Sequence, residues 1–241
     1  EDVIDVILRQ PATARFLARH LYNFFVADEP QIPAWPFDPP RDPAAVETLA
    51  GALVDADYEM KPVLRTLFNS DFFKEATFQK VSSPAEVFAG TLRLVDDMRG
   101  PDVRWGELPP EATYMGQAIM DPPSVEGWHT GREWINSGAF MNRVNFVADR
   151  VRNTELPGVA DIVRRVAGSN GSNMTANELV DRCLELIGPL EVEEETHREL
   201  VEQVAGGGPI SWETDEAYTS STRLVGDVLA LIAGTREYQM G

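Results

Sequence analysis

Cysteine is almost absent. Cys183 is the only one in 241 residues, so no internal disulfide can form. Its place within an amphipathic helical pattern makes it a small core residue rather than a reactive thiol. Positive charge is scarce as well. Lys and Arg number 21 against 39 Asp and Glu, a formal net charge of -18. Nucleic-acid binding needs clustered cations to displace phosphate counterions, so this balance argues against DNA or RNA as a partner. No apolar run approaches the roughly 20 residues of a membrane span. No charged-then-apolar leader opens the chain, which starts at Glu1 rather than Met, as a piece of a longer protein does.

Motifs of familiar chemistry are missing too. No HExxH or CxxC occurs, and Gly206-Gly207-Gly208 lacks the GK[ST] ending of a phosphate loop. Ser124 and Ser137 lie outside any GxSxG elbow. Two-residue alternation with β-branched enrichment is nowhere sustained, so essentially no sheet is expected.

What is present is three- and four-residue spacing of apolar side chains. Val3, Ile4, Ile7 and Leu8 make a short helical face. Pro11 opens a second helix, with Ala14, Leu17, Ala18, Leu21, Phe24 and Phe25 as its buried stripe. Prolines exclude regular helix from Asp28 to Asp42, where Trp35 and Phe37 are expected to pin the loop onto the domain. Further helical faces carry Val46 to Val54, Met60 to Phe68, and Phe72-Phe73 behind an Ser70 cap. Capping boxes at Ser83–Glu86, Thr130–Glu133 and Thr175–Glu178 each predict a helix start. One helix is expected to end at Gly100-Pro101, a short one lies around Ala112 to Ile119, and a longer one runs from Phe140 to Val151. Helices with Val159 to Val166, Leu179 to Ile187, Leu200 to Val204 and Leu224 to Ile232 follow. Gly168 to Asn173 is a flexible connection and Gly188-Pro189 a stop. The expected fold is therefore all-α: an irregular multi-helix bundle with long Pro/Gly-rich loops. Its expected division is a main body, 1–155, and a C-terminal extension, 156–241, packed on it. One internal echo stands out: Val63-Leu64, Leu67 and Ser70 to Phe73 resemble Val228-Leu229, Ile232 and Thr235 to Tyr238. Two helical hairpins of similar build, or chance, account for it.

The densest cluster of unusual residues runs from Met115 to Asn145, and a loop so rich in Pro, Gly and Trp is either rigidly packed or functional. The candidate pocket or ligand-binding residues are Trp128, His129, Glu133, Trp134, Arg143 and Asn145. His129 and Glu133, four apart, can share a helical face, but two ligands do not make a metal site, and none is expected. Glu133 also has a local role as the acid of its capping box. As an imidazole, His129 suits a general base, although a histidine bonded to backbone is the commoner case. Arg143 offers a planar fork of donors for an anion or for carbonyls that tie loop to helix. Trp128 and Trp134 are either stacking surfaces or wedges under the loop. No nucleophile is visible, the catalytic residues are unassigned, and no cofactor is expected. The run Glu191 to Glu199 around His197 reads as a solvated helix face.

Taken together, several stretches resemble the domain-of-unknown-function 1800 family of bacterial proteins. They are Pro11 to Phe16 running on to His20-Leu21-Tyr22 and Phe25-Val26, Val63-Leu64-Arg65 with Ser70 to Phe73, and Lys80 to Pro84. Met115-Gly116-Gln117, Pro122-Pro123, Gly127-Trp128, Trp134-Ile135-Asn136 and Arg143 to Phe146 complete the set, with Tyr238-Gln239 at the end. The resemblance covers the first two thirds best, whereas Leu156 to Gln203 matches little. His20 stands where the family often has lysine. The likeness implies bacterial origin, a longer protein with an N-terminal helical half, and export to the periplasm or medium. It implies no catalytic residue. The function expected is a non-catalytic module for binding or assembly, its partner another protein or the N-terminal half of its own chain. The alternative is a hydrolase with a cleft near Gly127 to Asn145.

Overall fold

The computed structural model describes residues 2–97, 109–168, 173–188 and 190–240. The expected stop at Gly100-Pro101, most of the Gly168 to Asn173 connection and Pro189 lie outside them. The described residues form helices α1 (Val3–Leu8), α2 (Pro11–Phe25), α3 (Pro43–Asp55), α4 (Met60–Asn69), α5 (Asp71–Lys74) and α6 (Pro84–Val95). Helices α7 (Pro109–Tyr114), α8 (Ser137–Val151), α9 (Pro157–Ala167), α10 (Ala176–Ile187), α11 (Glu194–Ala205), α12 (Asp215–Ala233) and α13 (Arg236–Gln239) follow. The fold is all-α. Its sheet is one antiparallel ladder of two-residue strands, β1 (Asn173–Met174) and β2 (Ile210–Ser211), paired Asn173 to Ser211 and Met174 to Ile210.

Two compact units emerge from the contacts. The first holds residues up to Val81 together with His129–Arg132, and the second holds Ser82–Trp128 and Glu133–Met240. Contact density thus draws its line at Val81/Ser82, whereas α8 and α9, on either side of Leu156, share one core.

In the first unit, α2 and α3 pair over Ala14, Ala18, Tyr22, Val46, Leu49 and Leu53, with Val63 and Leu67 of α4 closing the core. The expected stripe on α2 holds at Ala14, Leu17, Ala18, Leu21 and Phe25 but not at Phe24. Arg19 and Tyr22 are buried, whereas Phe24 is 70% exposed. The reason is the proline-rich loop, whose carbonyls have few neighbouring N–H groups and must find donors elsewhere. Arg19 supplies them. It donates to the carbonyls of Asp38 at 2.9 Å, Pro39 at 3.2 Å and Trp35 at 3.3 Å, and to Glu29 at 2.7 Å. Glu29 in turn accepts the Arg41 N–H at 2.8 Å. Trp35 pins the loop as expected, its indole N–H donating to Pro30 O at 2.6 Å beneath the Arg19 guanidinium. Phe37 does not. It is 86% exposed, because the arginine grips backbone and leaves that ring unneeded.

In the second unit, α12 is the central rod. Val225, Val228, Leu229 and Ile232 meet Val147 and Val151 of α8, Val163 and Val166 of α9, and Leu179, Val180 and Cys183 of α10 in one core. Cys183 is fully buried, which pushes its thiol up to about 12 and leaves it inert at neutral pH. Helices α6 and α9 meet backbone to backbone: a Cβ at Gly158 would lie 2.1 Å from Leu94 O, so only glycine allows the crossing. Ser221 clamps β2 to α12, donating to Ser211 O at 2.8 Å and accepting its N–H at 3.1 Å.

The capping boxes at Ser83–Glu86 and Thr175–Glu178 close as expected. The one at Thr130–Glu133 gives a 3-10 turn, Gly131–Trp134, instead of an α-helical start. Gly131 sits there at φ +66°, against Asp28, and a 3-10 turn admits that entry. The internal echo is structural. Ser70 donates to Leu67 O at 2.6 Å and accepts from Phe73 N, and Thr235 donates to Ile232 O at 2.8 Å and accepts from Tyr238 N.

Helix α11 has no capping side chain of its own. Glu237, buried on α13, caps it from a distance, accepting from Glu193 N at 3.1 Å and Thr196 Oγ1 at 3.0 Å. Burial pushes this carboxyl up, but those bonds, its own backbone N–H and the charge of Arg236 outweigh it and hold the group below the usual carboxylate range. Such a group contributes stability that is present above the unfolded carboxylate pKa and lost as pH falls through the depressed folded value. Glu237→Gln is therefore expected to cost about 1 kcal/mol at pH 7 and to flatten the acid limb of stability against pH. Urea melts at pH 7 and pH 3.5 check this, and an unchanged acid limb would refute it.

Candidate functional site

Helix α8 places Arg143 and Asn145, and its geometry separates them. Asn136 caps the helix, accepting from Ala139 N at 2.9 Å. Ala139, Arg143, Phe146 and Val147 then fall on the buried side. Asn145, two residues beyond Arg143, is turned about 200° away and is exposed. Arg143 itself is 0% exposed. Its Nη1 donates to Ser82 O at 2.7 Å, its Nε to Gln239 Oε1 at 3.0 Å and its Nη2 to Gln239 O at 3.3 Å. Gln239, also buried, passes its amide on to Ala233 O at 2.8 Å. Burial pushes the guanidinium down to about 10, partly countered by Glu86, so it stays charged at neutral pH. The arginine does tie backbone, but not the loop before it: its acceptors stand 61 and 96 residues away.

Arg143 makes none of these hydrogen bonds to the other candidates. His129 is exposed and falls in the first unit, with Thr130 to Arg132. That segment is held by Gln31, which donates to Thr130 O at 3.0 Å, and by the packing of Gly131 on Asp28. Asp28 also accepts Val81 N–H at 2.8 Å and faces Lys80 at 3.6 Å. Glu133 is exposed and Trp134 half-buried on the 3-10 turn, counted with the second unit. Because that turn begins at Gly131, His129 and Glu133 share no helical face. Each has a partner of its own. Trp128 is half-buried, and its indole N–H is shielded with no acceptor among the described residues. No group of three or more His, Cys, Asp and Glu suited to a metal occurs among the described residues.

Several residues that do the holding carried no signal of their role in the sequence. Gln117 accepts Ala85 N–H at 2.9 Å and fixes the first turn of α6 to the turn after α7. Asn142 donates to Tyr114 O at 2.9 Å and ties α8 to α7. Ser82, Gln117, Arg143 and Gln239 all belong to the stretches that carry the family likeness, and all are scaffold contacts.

These features define an all-α protein of two compact units, each organised by a buried arginine spent on carbonyls. The chain belongs to the family described as Protein of unknown function (DUF1800), which matches residues 1–240. The match thus runs through the tail from Leu156 to Gln203, where single motifs are weak. Neither a curated protein nor a solved structure matches the chain.

A structural Arg143 has a measurable signature. Removing it leaves Ser82 O and Gln239 Oε1 without the donor they share, although Gln239 O keeps the Ser82 N–H, so Arg143→Ala is expected to cost on the order of 3 kcal/mol. Arg143→Lys should recover only part, since an ammonium cannot fork toward three acceptors. Asn145→Ala should leave the unfolding midpoint unchanged. Chemical denaturation of the three variants decides, and a midpoint unmoved by Arg143→Ala would overturn the assignment.

Proposed function

We propose that this protein is a helical binding or assembly module. The observation that supports it most is α1. Its Val3, Ile4, Val6 and Ile7 are 72, 61, 48 and 51% exposed, and none of its residues is buried. A six-residue helix does not persist by propensity alone. Here a capping box at Asp2 starts it, and Thr13 and Tyr58 hold its end through Ile7 O and Leu8 O. An ordered apolar helix that buries nothing of its own is a surface built for cover. The cover in this reading is another protein or the N-terminal half that the family resemblance implies for the same polypeptide.

The rival reading, a hydrolase with a cleft between Gly127 and Asn145, gains no support. Arg143 is consumed inside the second unit, and Asn145 points away from it. Bacterial origin and export rest on the family resemblance, and fractionation of the source cells checks the compartment.

The surface role of α1 is tested by Ile4→Glu/Ile7→Glu. The variant is expected to melt within about 2 °C of the parent, as exposed substitutions do. A photocrosslinker at Val6 should trap a discrete neighbour in the native full-length protein, and the double substitution should abolish that product. A melting point lowered as far as by a core cavity would show that α1 is packed after all and sink the proposal.

A further inference from the structure

In a chain of net charge -18, arginines gather at one place in the second unit. A cleft of about 550 Å³ runs along α9, walled by the end of α6 and closed by Leu186 of α10. Arg93, Arg164 and Arg165 line it, with Asp96 and Asp161 as the acids. The volume falls in the range of small-molecule sites. The backbone contact of Gly158 with Leu94 fixes the α6 wall against α9, so the groups on both helices are held at a set spacing.

The arginines differ in what they have to spend. Arg164 is engaged by Asp161 at 2.9 Å. Arg93 and Arg165 donate to nothing among the described residues. Both sit in the last turn of their helices, where the helix dipole favours cations. That accounts for their sign, but not for two unspent forks opening on one cleft. Leu156 offers no capping side chain and Pro157 no N–H, so the first turn, packed on the Leu94 carbonyl at Gly158, also lines the cleft. Guanidinium forks match the paired oxygens of a tetrahedral phosphate.

We propose that the α6/α9 cleft binds a small phosphate-bearing anion, gripped by Arg93 and Arg165. This site lies in the second unit and stands or falls independently of the α1 surface.

The test is a titration of the isotope-labelled chain with inorganic phosphate and with pyrophosphate, by NMR and calorimetry, against sodium chloride of equal ionic strength. Saturable shifts at Arg93, Gly158 and Arg165 are expected, with dissociation constants on the order of 1 mM or tighter. Arg93→Ala/Arg165→Ala, exposed positions that leave the fold intact by circular dichroism, should weaken binding about tenfold or more. Asp161→Asn, which frees Arg164 and removes a carboxylate, should tighten it severalfold. Chloride producing the same shifts, or unaltered binding in the double variant, would overturn the site. A dicarboxylate such as glutarate binding more tightly than phosphate would overturn the choice of ligand.

Discussion

A buried guanidinium cannot be left unmatched, and that constraint organises both units. Five N–H donors enclosed in protein demand carbonyl or carboxylate oxygens, because the alternative is a naked charge at low dielectric. In the second unit, Arg143 meets the demand by drawing Ser82, two residues before α6, and the last residue of α13 to the middle of α8. In the first, Arg19 binds three carbonyls of a proline-rich loop and makes it a fixed element. The apolar cores supply the bulk of the driving force, but they do not choose among registers as sharply. An arginine with three separate acceptors admits only the packing in which all arrive together.

Much of the fold could be read from residue spacing. The helices over Pro43–Asp55, Pro84–Val95, Pro157–Ala167 and Ala176–Ile187 begin at side-chain caps or prolines and carry apolar residues at three and four. Both signals are local, and local signals survive in sequence. What escaped was long-range. Nothing in the neighbourhood of Arg143 shows that Gln239 is its partner, because the acceptors include backbone carbonyls and these have no letter in a sequence. Arg19 was left off the buried stripe of α2 for the same reason. Periodicity favoured Phe24 for the interior, but Arg19 was needed there to serve the loop, and a helix has only one buried side.

The candidate site shows the same limit. A concentration of Trp, His, Gly and Pro marks a segment under constraint, without telling whether the constraint is chemical or mechanical. Between Met115 and Asn145 the identified contacts are mechanical: Gln117 on Ala85 N, Asn142 on Tyr114 O, Arg143 on Ser82 and Gln239. Four residues of the stretches that carry the family likeness, Ser82, Gln117, Arg143 and Gln239, thus tie helices together.

The lock made by Arg143 also has a bearing on how the protein is made. Gln239, which carries two of its acceptors, is synthesised 96 residues after Arg143, whereas Ser82 precedes it by 61. While the ribosome is still adding α12, this charge has only one of its anchors, and the second unit cannot close in its native arrangement. The lock is complete only once residue 239 has been made, and the helices synthesised before it must stay unaggregated in the interval.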